Sequence, residues 1–183
     1  MLLFIFDQVK VCLSDIADIK TGQRITKREL LDQGHPVISG GMNIFGYYDK
    51  FNTKSNTITI AKYGSAGFIG FQTKEFWAND VVYLIEPKEF IDNRYLYHLL
   101  LNNQNTINSF VLDAIPSHLP IDKLKQLPLT ITSLNNQQKI SNQLDIFNDL
   151  VNNVDDCIPL LNTLTIKQYT YYRNYLFKLL ENK

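Results

Sequence analysis

"TITIAKYGSAGFIGFQ", residues 57–72, decides how the chain folds. Glycines 64, 67 and 70 stand three apart behind a β-branched run and Lys62. Such a stretch is either a loop that cradles the phosphates of a nucleotide or a hairpin that carries a basic turn. A dinucleotide fold needs G-x-G-x-x-G between strand and helix, and a P-loop needs G-x-x-x-x-G-K-[ST]. Here the spacing is G-x-x-G-x-x-G, with another strand-like run after it. Ile58 and Ile60 alternate with Thr57, Thr59 and Ala61, the period of a half-buried strand. Glycines in such a stretch serve tight turns and strand packing, so a hairpin is expected.

Working outward, Gly22, Gly34, Pro36 and the Gly40-Gly41 pair mark turns upstream. Downstream, "GFIGF" and "FWANDVVYLIEP" predict two further strands, the second ending at Pro87. From Asn93 the apolar positions 96, 99, 100, 107 and 110 suit an amphipathic helix. A proline-punctuated loop, a short helical turn over 121–124 and an extended exit complete a mixed α and β globule over residues 1–132. The formal net charge of zero argues against nucleic-acid binding through a bulk field. Its distribution does not: residues 20–74 hold eight Lys/Arg against three acids, a balance of +5. All eight glycines fall between Gly22 and Gly70, which concentrates loops in the basic segment.

The 183 residues suit one well-cored domain with an appendage. The start, "MLLFIFDQVK", is far shorter than a membrane span and has neither a basic leader nor a small-residue cleavage site, so a soluble, cytoplasmic chain without membrane contact is expected. Cys12 and Cys157 lack metal-ligand spacing and read as free buried thiols.

Residues 133–183 differ in kind. Ser133 and Asn135 are potential N-caps, with Gln138 placed for a capping box. Ile140, Leu144, Phe147, Val151, Val154, Ile158 and Leu161 then follow a 4,3,4,3 spacing on one seam, which continues more weakly through Tyr172 and Leu179. Pro159 should kink or break the helix. As one kinked rod the segment would be about 70 Å long at about 1.5 Å per residue, and is expected to protrude. Residues 139–158 carry Lys139 against four aspartates, and residues 159–183 carry four Lys/Arg against Glu181, so a half at −3 faces a half at +3. Two copies packed antiparallel would pair the signs. An intramolecular hairpin at Pro159 would also pair them, although no glycine lies nearby to make it tight. The expected fold class is α+β: a globular domain followed by a long, coiled-coil-like helical region.

Catalytic patterns are missing. No Pro-Pro occurs, as a base-methylating motif would require, and His35, His98 and His118 are scattered without an obvious Ser or Cys partner. His98, in "YLYHLLL", reads as packed on a helix, and the adjacent Asp155 and Asp156 as a solvated face. Polar side chains on glycine-turned loops remain: Lys, Arg, Gln, Asn, Ser and Tyr, which reach phosphate oxygens and, for Arg, Gln and Asn, base edges. On composition alone a solvated polar surface is the favoured reading.

The junction "LPLTITSLNNQQKISNQLDIF" resembles the exit, Gln-Gln-x-Ile and Leu-Asp pattern of the specificity subunits of type I restriction-modification enzymes. "KQYTYYRNYLF" is similar to that family's Gln-Tyr-x-x-Tyr-Arg helix end, and "HPVISGGMNIFGYYDKFNTKSNTITIAKYGSAGFIGF" with "FWANDVVYLI" is similar to a target-recognition domain. Thr130 and Asn136 depart from the usual proline and acid. The resemblance implies a non-catalytic subunit reading half of a bipartite site in double-stranded DNA. Modification and restriction subunits would be its partners. Adenosylmethionine, ATP and Mg would be bound by those partners only, and no cofactor or metal by this chain. A full specificity subunit has two recognition domains and two long helices, so one of each implies a half-subunit that rebuilds the whole as an antiparallel homodimer through the seam above. Candidate DNA contacts are Lys20, Gln23, Arg24, Lys27, Asn43, Lys54, Lys62, Tyr63, Gly64, Ser65, Ser117 and His118. The competing expectation is an interaction module or decoy that binds modification subunits without DNA. A nucleotide-dependent enzyme is disfavoured for want of motifs.

Overall fold

The computed structural model describes residues 8–152 and 159–181, with side chains described for 8–149 and 165–178. Its elements run β1 (Val9–Cys12), α1 (Leu13–Ile16), β2 (Ala17–Thr21), β3 (His35–Ile38), β4 (Gly46–Tyr48), β5 (Thr57–Ala61), β6 (Ile69–Gln72), β7 (Trp77–Ala78), β8 (Val82–Pro87), α2 (Asn93–Asn102), α3 (Gln104–Phe110), α4 (Ile121–Lys125), β9 (Pro128–Ile131), α5 (Leu134–Asn152) and α6 (Pro159–Glu181). The stretch that opened the analysis is the β5–β6 hairpin, with Ile60 opposite Ile69 and Thr57 opposite Gln72. Gly64 and Gly67 take the left-handed conformation in its turn, at φ +77° and +86°.

The hairpin belongs to an antiparallel sheet of order β2-β8-β5-β6. Alternation along β5 divides its faces. Ile58 and Ile60 are fully buried and join Tyr83 and Ile85 of β8 with Tyr95, Leu96, Leu99 and Leu100 of α2 in the main core. On the other face, Lys20, Leu84, Thr59 and Gly70 stand in one row across the four strands. Leu84 there packs on Phe76 and Ala78 in a smaller core beneath a three-stranded sheet of order β4-β3-β7. β1 pairs antiparallel with β9, so the chain enters beside the point where it leaves for the long helices.

The expected helix begins at Asn93 behind an Asp92 cap whose side chain accepts from Tyr95 N–H at 2.7 Å. It breaks at Asn103, whose side chain donates to Leu99 O at 2.8 Å and competes with the helical ladder, so α2 and α3 are separate. At the start of α5, Ser133 O accepts from Gln137 N–H at 2.9 Å. Asn135 lies inside α5, so the expected Asn135–Gln138 capping box has no helix start to close. Gln137 is fully buried, donates to Thr132 O at 2.7 Å and accepts from Asp92 N–H at 2.8 Å, which ties α5 to the entry of α2. Cys12 is a half-buried free thiol, and Cys157 lies outside the described residues.

Over the described residues the two long helices lie side by side and do not form one continuous rod. α6 returns antiparallel along α5, with Phe147 stacked on Tyr172 at 5.9 Å, and both helices contact α2. Ile140 and Leu144 are buried in the chain's own main core with Phe177, which is 3% exposed and lies 5.9 Å from the Tyr95 ring. Burying a side chain of that size contributes about 1.5–3 kcal/mol, so the heptad positions find their apolar partner in cis, on α2. Pro159 opens a helix instead of kinking one, at the first-turn position where its missing N–H costs nothing. Of the other expected seam residues, Val154 and Ile158 lie outside the described residues, and the side chains of Val151, Leu161 and Leu179 are outside the description.

A polar network locks this junction. Arg94 donates from Nε to Asp145 Oδ1 at 3.1 Å and Oδ2 at 2.9 Å, and from Nη2 to Oδ1, while its guanidinium stacks 4.3 Å from the Phe71 ring centroid. His98, 1% exposed, places Nε2 at 2.7 Å from Asp145 Oδ1 and Nδ1 at 3.3 Å from the Tyr169 hydroxyl. Burial pulls the His98 pKa below its ordinary value and outweighs the pull of Asp145. The neutral ring satisfies both neighbours: Nε2–H donates to Asp145, and Nδ1 accepts from Tyr169. Burial pushes the Asp145 carboxyl up, but the hydrogen bonds from Arg94 and His98 and the Arg94 charge outweigh it and hold the carboxyl below the usual range. No helix among the described residues is long and apolar enough to cross a membrane.

Candidate nucleic-acid interface

Three loops converge on the turn of the β5–β6 hairpin. Ser65 N–H donates to Gly40 O at 2.7 Å, joining the turn to the loop between β3 and β4. Ser117 Oγ donates to Gly64 O at 2.8 Å and Leu119 N–H to Lys62 O at 2.9 Å, joining it to the segment before α4. Lys62 N–H donates to Val81 O at 2.9 Å, and beneath it the buried Tyr83 hydroxyl donates to Leu119 O at 3.0 Å. Burial pushes the Tyr83 phenol up to about 12, so it remains a donor. The two glycine backbones touch: a Cβ on Gly64 would lie 2.7 Å from Gly40 O, and one on Gly40 2.2 Å from Tyr63 O. This close approach is why both positions take glycine.

Around that crossing the fold gathers eight of the twelve expected contacts. Lys27, Asn43, Tyr63, Gly64 and Ser65 line one open depression of about 660 Å³. Tyr63 is bridged to His118, with ring centroids 5.8 Å apart, and the Lys62 ammonium stands 5.1 Å from the Tyr63 ring centroid. Ser117 is a brace, its hydroxyl hydrogen directed to Gly64 O.

Lys20, Gln23 and Lys54 are elsewhere. They line a second cleft of about 550 Å³ over the polar face of the larger sheet, with Asn52, Thr57 and Glu86. Lys20 Nζ contacts Glu86 Oε2 at 2.5 Å in an exposed pair; hydrogen bonding to Glu86 and its charge raise the Lys20 pKa. Arg24 is exposed on the strap over residues 22–27 that joins the two groups, and lines neither hollow. Where the strap begins, Gly22 crosses β7 so closely that a Cβ would lie 2.2 Å from Ala78 O. At the far end Thr26 and Glu29 form a capping box: Thr26 N–H donates to Glu29 Oε2 at 2.8 Å and Thr26 Oγ1 to the same oxygen at 2.7 Å.

Sequence reasoning missed the asparagines that frame these loops. Asn79, 6% exposed, accepts from Ile25 N–H at 3.3 Å and from Asp80 N–H at 2.8 Å through Oδ1, and donates to Ser39 Oγ at 3.3 Å. It thereby fastens the strap and the β3–β4 loop to one point. Asn52 mimics a neighbouring strand, accepting from Ala78 N–H at 2.7 Å and donating to Ala78 O at 3.0 Å. "FWANDVVYLIEP" was expected to be one strand, but it breaks at residues 79–81 between β7 and β8; which distant backbone groups an Asn side chain will satisfy is a tertiary fact that no local pattern carries.

The arrangement offers cations, amides, hydroxyls and an aromatic ring on rigid loops, the donor set for phosphates and base edges. Among the described residues no group of three His, Cys, Asp or Glu is placed to hold a metal ion.

Comparison with known proteins finds a family model, curated relatives and solved structures similar to this chain. The model of the type I restriction modification DNA specificity domain matches residues 7–158. A putative type I specificity subunit of Mycoplasma genitalium is 29% identical over 156 residues, covering 82% of this chain and 40% of that protein. A putative type I restriction enzyme specificity subunit of Haemophilus influenzae is 30% identical over 176 residues, covering 91% and 45%. Among solved structures, the S subunit of the type I restriction-modification system from M. genitalium superposes with a TM-score of 0.76 at 26% identity, over 85% of this chain and 43% of that one. The HsdS subunit from Thermoanaerobacter tengcongensis shares the fold, with a TM-score of 0.64 at 12% identity over 95% and 44%. The chain thus spans less than half the length of these relatives.

Proposed function

We propose, from the premise that this chain belongs to the type I restriction modification DNA specificity family, that it recognises one half of a bipartite sequence in double-stranded DNA. The observation that carries this reading is the convergence of Lys27, Asn43, Lys62, Tyr63, Ser65 and His118 on one braced surface of a chain with that membership. Residues 1–132 are the recognition part and residues 133–183 the spacer and docking part. The chain is the non-catalytic component, and methyl transfer and DNA cleavage belong to modification and restriction subunits that dock on it.

A bipartite site needs two readers, and we assign the second to another copy packed antiparallel through the helices. Ile140 and Leu144 are committed to the chain's own core, so the surface left for the partner is the half-open aromatic face of Phe147, Tyr172 and Tyr175. A two-fold axis then presents identical surfaces to inverted half-sites and gives a palindromic target with a fixed gap.

The test is methylation mapping by single-molecule sequencing in cells expressing the chain with modification subunits, against cells lacking the chain. Adenine methylation at a palindromic bipartite motif only when the chain is present supports the reading. An asymmetric motif removes the homodimer and keeps DNA recognition. No motif, with modification subunits active on another specificity subunit, defeats DNA recognition. That last result favours the second reading, a decoy that docks modification subunits through the exposed apolar and aromatic side chains of Ile146, Tyr171 and Tyr175.

A further inference from the structure

The loop over residues 41–44 carries a feature that the cation and amide set leaves unused. Met42 is 66% exposed and Ile44 51% exposed, two large apolar side chains held in water on either side of the exposed Asn43. The loop is a ridge between two hollows. One, of about 660 Å³, holds Lys27, Tyr63 and Ser65; the other, of about 100 Å³, is lined by Thr59, Phe68 and Gln72. Both ends of the ridge are fixed. Gly40 O accepts from Ser65 N–H at 2.7 Å, Asn79 N–H donates to Ile38 O at 2.9 Å, and Phe45 N–H donates to Val37 O at 2.9 Å. The apolar tips are therefore presented by a preorganised loop, which lowers the ordering cost of binding.

Resting on the DNA-recognition reading above, we propose that this ridge enters the major groove and that Met42 and Ile44 read thymine methyl groups beside a base pair addressed by Asn43. The argument is one of complementarity. A ridge that shares one hollow with Lys27 is drawn to phosphate, and the thymine C5 methyl is the apolar group that the major-groove edges of the bases display. Asparagine pairs in two-pronged fashion with N6 and N7 of adenine, whose partner supplies that methyl. The three consecutive side chains thus address an A·T-containing step, and Lys27 sets the register on the backbone.

The experiment is enrichment of binding sites from random duplex libraries by the full chain co-expressed with modification subunits. Parallel libraries contain thymine or uracil, which lacks the methyl and pairs identically. The wild-type chain is expected to enrich a motif with a fixed A·T step, and its preference there to fall about fourfold in the uracil library, the weight of one buried methylene-sized group. Ile44→Ala and Met42→Ala are expected to lose a similar factor at that step and to treat the two libraries alike, while Ile44→Leu keeps the preference. Thermal melting establishes that the variants are folded. A wild-type motif unchanged in both variants and in the uracil library overturns the inference and leaves DNA recognition standing. So does a motif indifferent to uracil whose DNA is bent by the wild-type chain and not by Ile44→Ala, because the side chains then act as a wedge between bases. A wild-type chain that enriches no motif ends the inference together with the reading on which it rests.

Discussion

The salt dependence of DNA binding is the sharpest test of the surface, because the structure separates cations that sequence treats alike. Arg24, Lys27, Lys54 and Lys62 form no ion pair among the described residues, whereas Lys20 is paired with Glu86. If those four each displace one condensed counterion, the slope of log K against log salt is about −3.6 per chain, at about −0.9 per phosphate contact. Between about 50 and 200 mM salt the affinity for a random-sequence duplex then falls about 150-fold. Lys62→Ala flattens the slope to about −2.7, a fall of about 40-fold over the same range. Glu86→Gln does the reverse: it frees Lys20 beside the second cleft and steepens the slope towards about −4.5. Both partners of that pair are about half exposed, so the substitution leaves the fold intact. Fluorescence anisotropy of a labelled duplex titrated with the full chain at several salt concentrations measures each slope. A wild-type slope shallower than about −1, or Lys62→Ala and Glu86→Gln moving it in the same direction, would refute the assignment of this face to DNA.

Three further outcomes follow from the structure. Gly64→Ala places a Cβ 2.7 Å from Gly40 O at φ +77°, and should cost about 1–2 kcal/mol and weaken duplex binding, whereas Gly41→Ala, with no atom within 4 Å of its Cβ, should leave the melting temperature unchanged. Asp145→Ala strands the half-buried Arg94 and the buried His98; discounting the usual cost of a broken buried pair for the 31% exposure of Asp145, a loss of about 2–3 kcal/mol in urea unfolding is expected, and a loss below about 1 kcal/mol would show that the network is ornamental. The same network makes stability fall on acidification. The folded His98 pKa is depressed, so the unfolded chain takes up the proton first, and stability is lost as pH falls from about 6.5 through the folded value; the depressed Asp145 carboxyl adds a second loss below 3.8. Urea midpoints should drop between about pH 7.5 and pH 5.5 in the wild-type chain and less so in His98→Gln, and a midpoint that rises on acidification would reverse the assignment.

What the sequence made legible was what is local. The alternation of Ile58 and Ile60 and the G-x-x-G-x-x-G spacing lead to the β5–β6 hairpin because strand period and turn glycines act over a few residues. Asn93 marks the start of α2 for the same reason. The path of the helices beyond Ser133 was legible only as two alternatives, a protruding rod that pairs with another copy and a hairpin at Pro159, and the described residues follow the second. A heptad seam says that one face must be buried without saying against what, and α2 of the same chain supplies a surface that an intermolecular reading assigns to a partner. The site divided along the same line. Residues near the turn glycines were identified as loop residues, but that Lys27 and Asn43 meet Tyr63 while Lys20 and Lys54 do not is decided by Gly40, Gly64 and Asn79, which join segments far apart in sequence.

The central element in this arrangement is α2, which carries no proposed DNA contact. One side of it packs Tyr95, Leu96 and Leu99 on β5 and β8, directly behind the strands that hold the hairpin turn, and Arg94 and His98 grip Asp145 of α5 and Tyr169 of α6. The sheet and the long helices are thus fastened to the two sides of one short helix by different means: apolar burial towards the sheet, and towards the helices apolar burial of Ile140, Leu144 and Phe177 joined by a directional polar network. Apolar packing tolerates small rotations; a carboxylate held by a guanidinium fork and an imidazole at 2.7 Å does not. If the helices set the distance between two half-sites, the angle at which they leave the globule must be fixed, and the Arg94–Asp145–His98 cluster is the device that fixes it. A chain whose cluster is broken should then still bind a single half-site through its loops while losing discrimination between half-site spacings, a separation of affinity from spacing that loss of Lys62 would not produce.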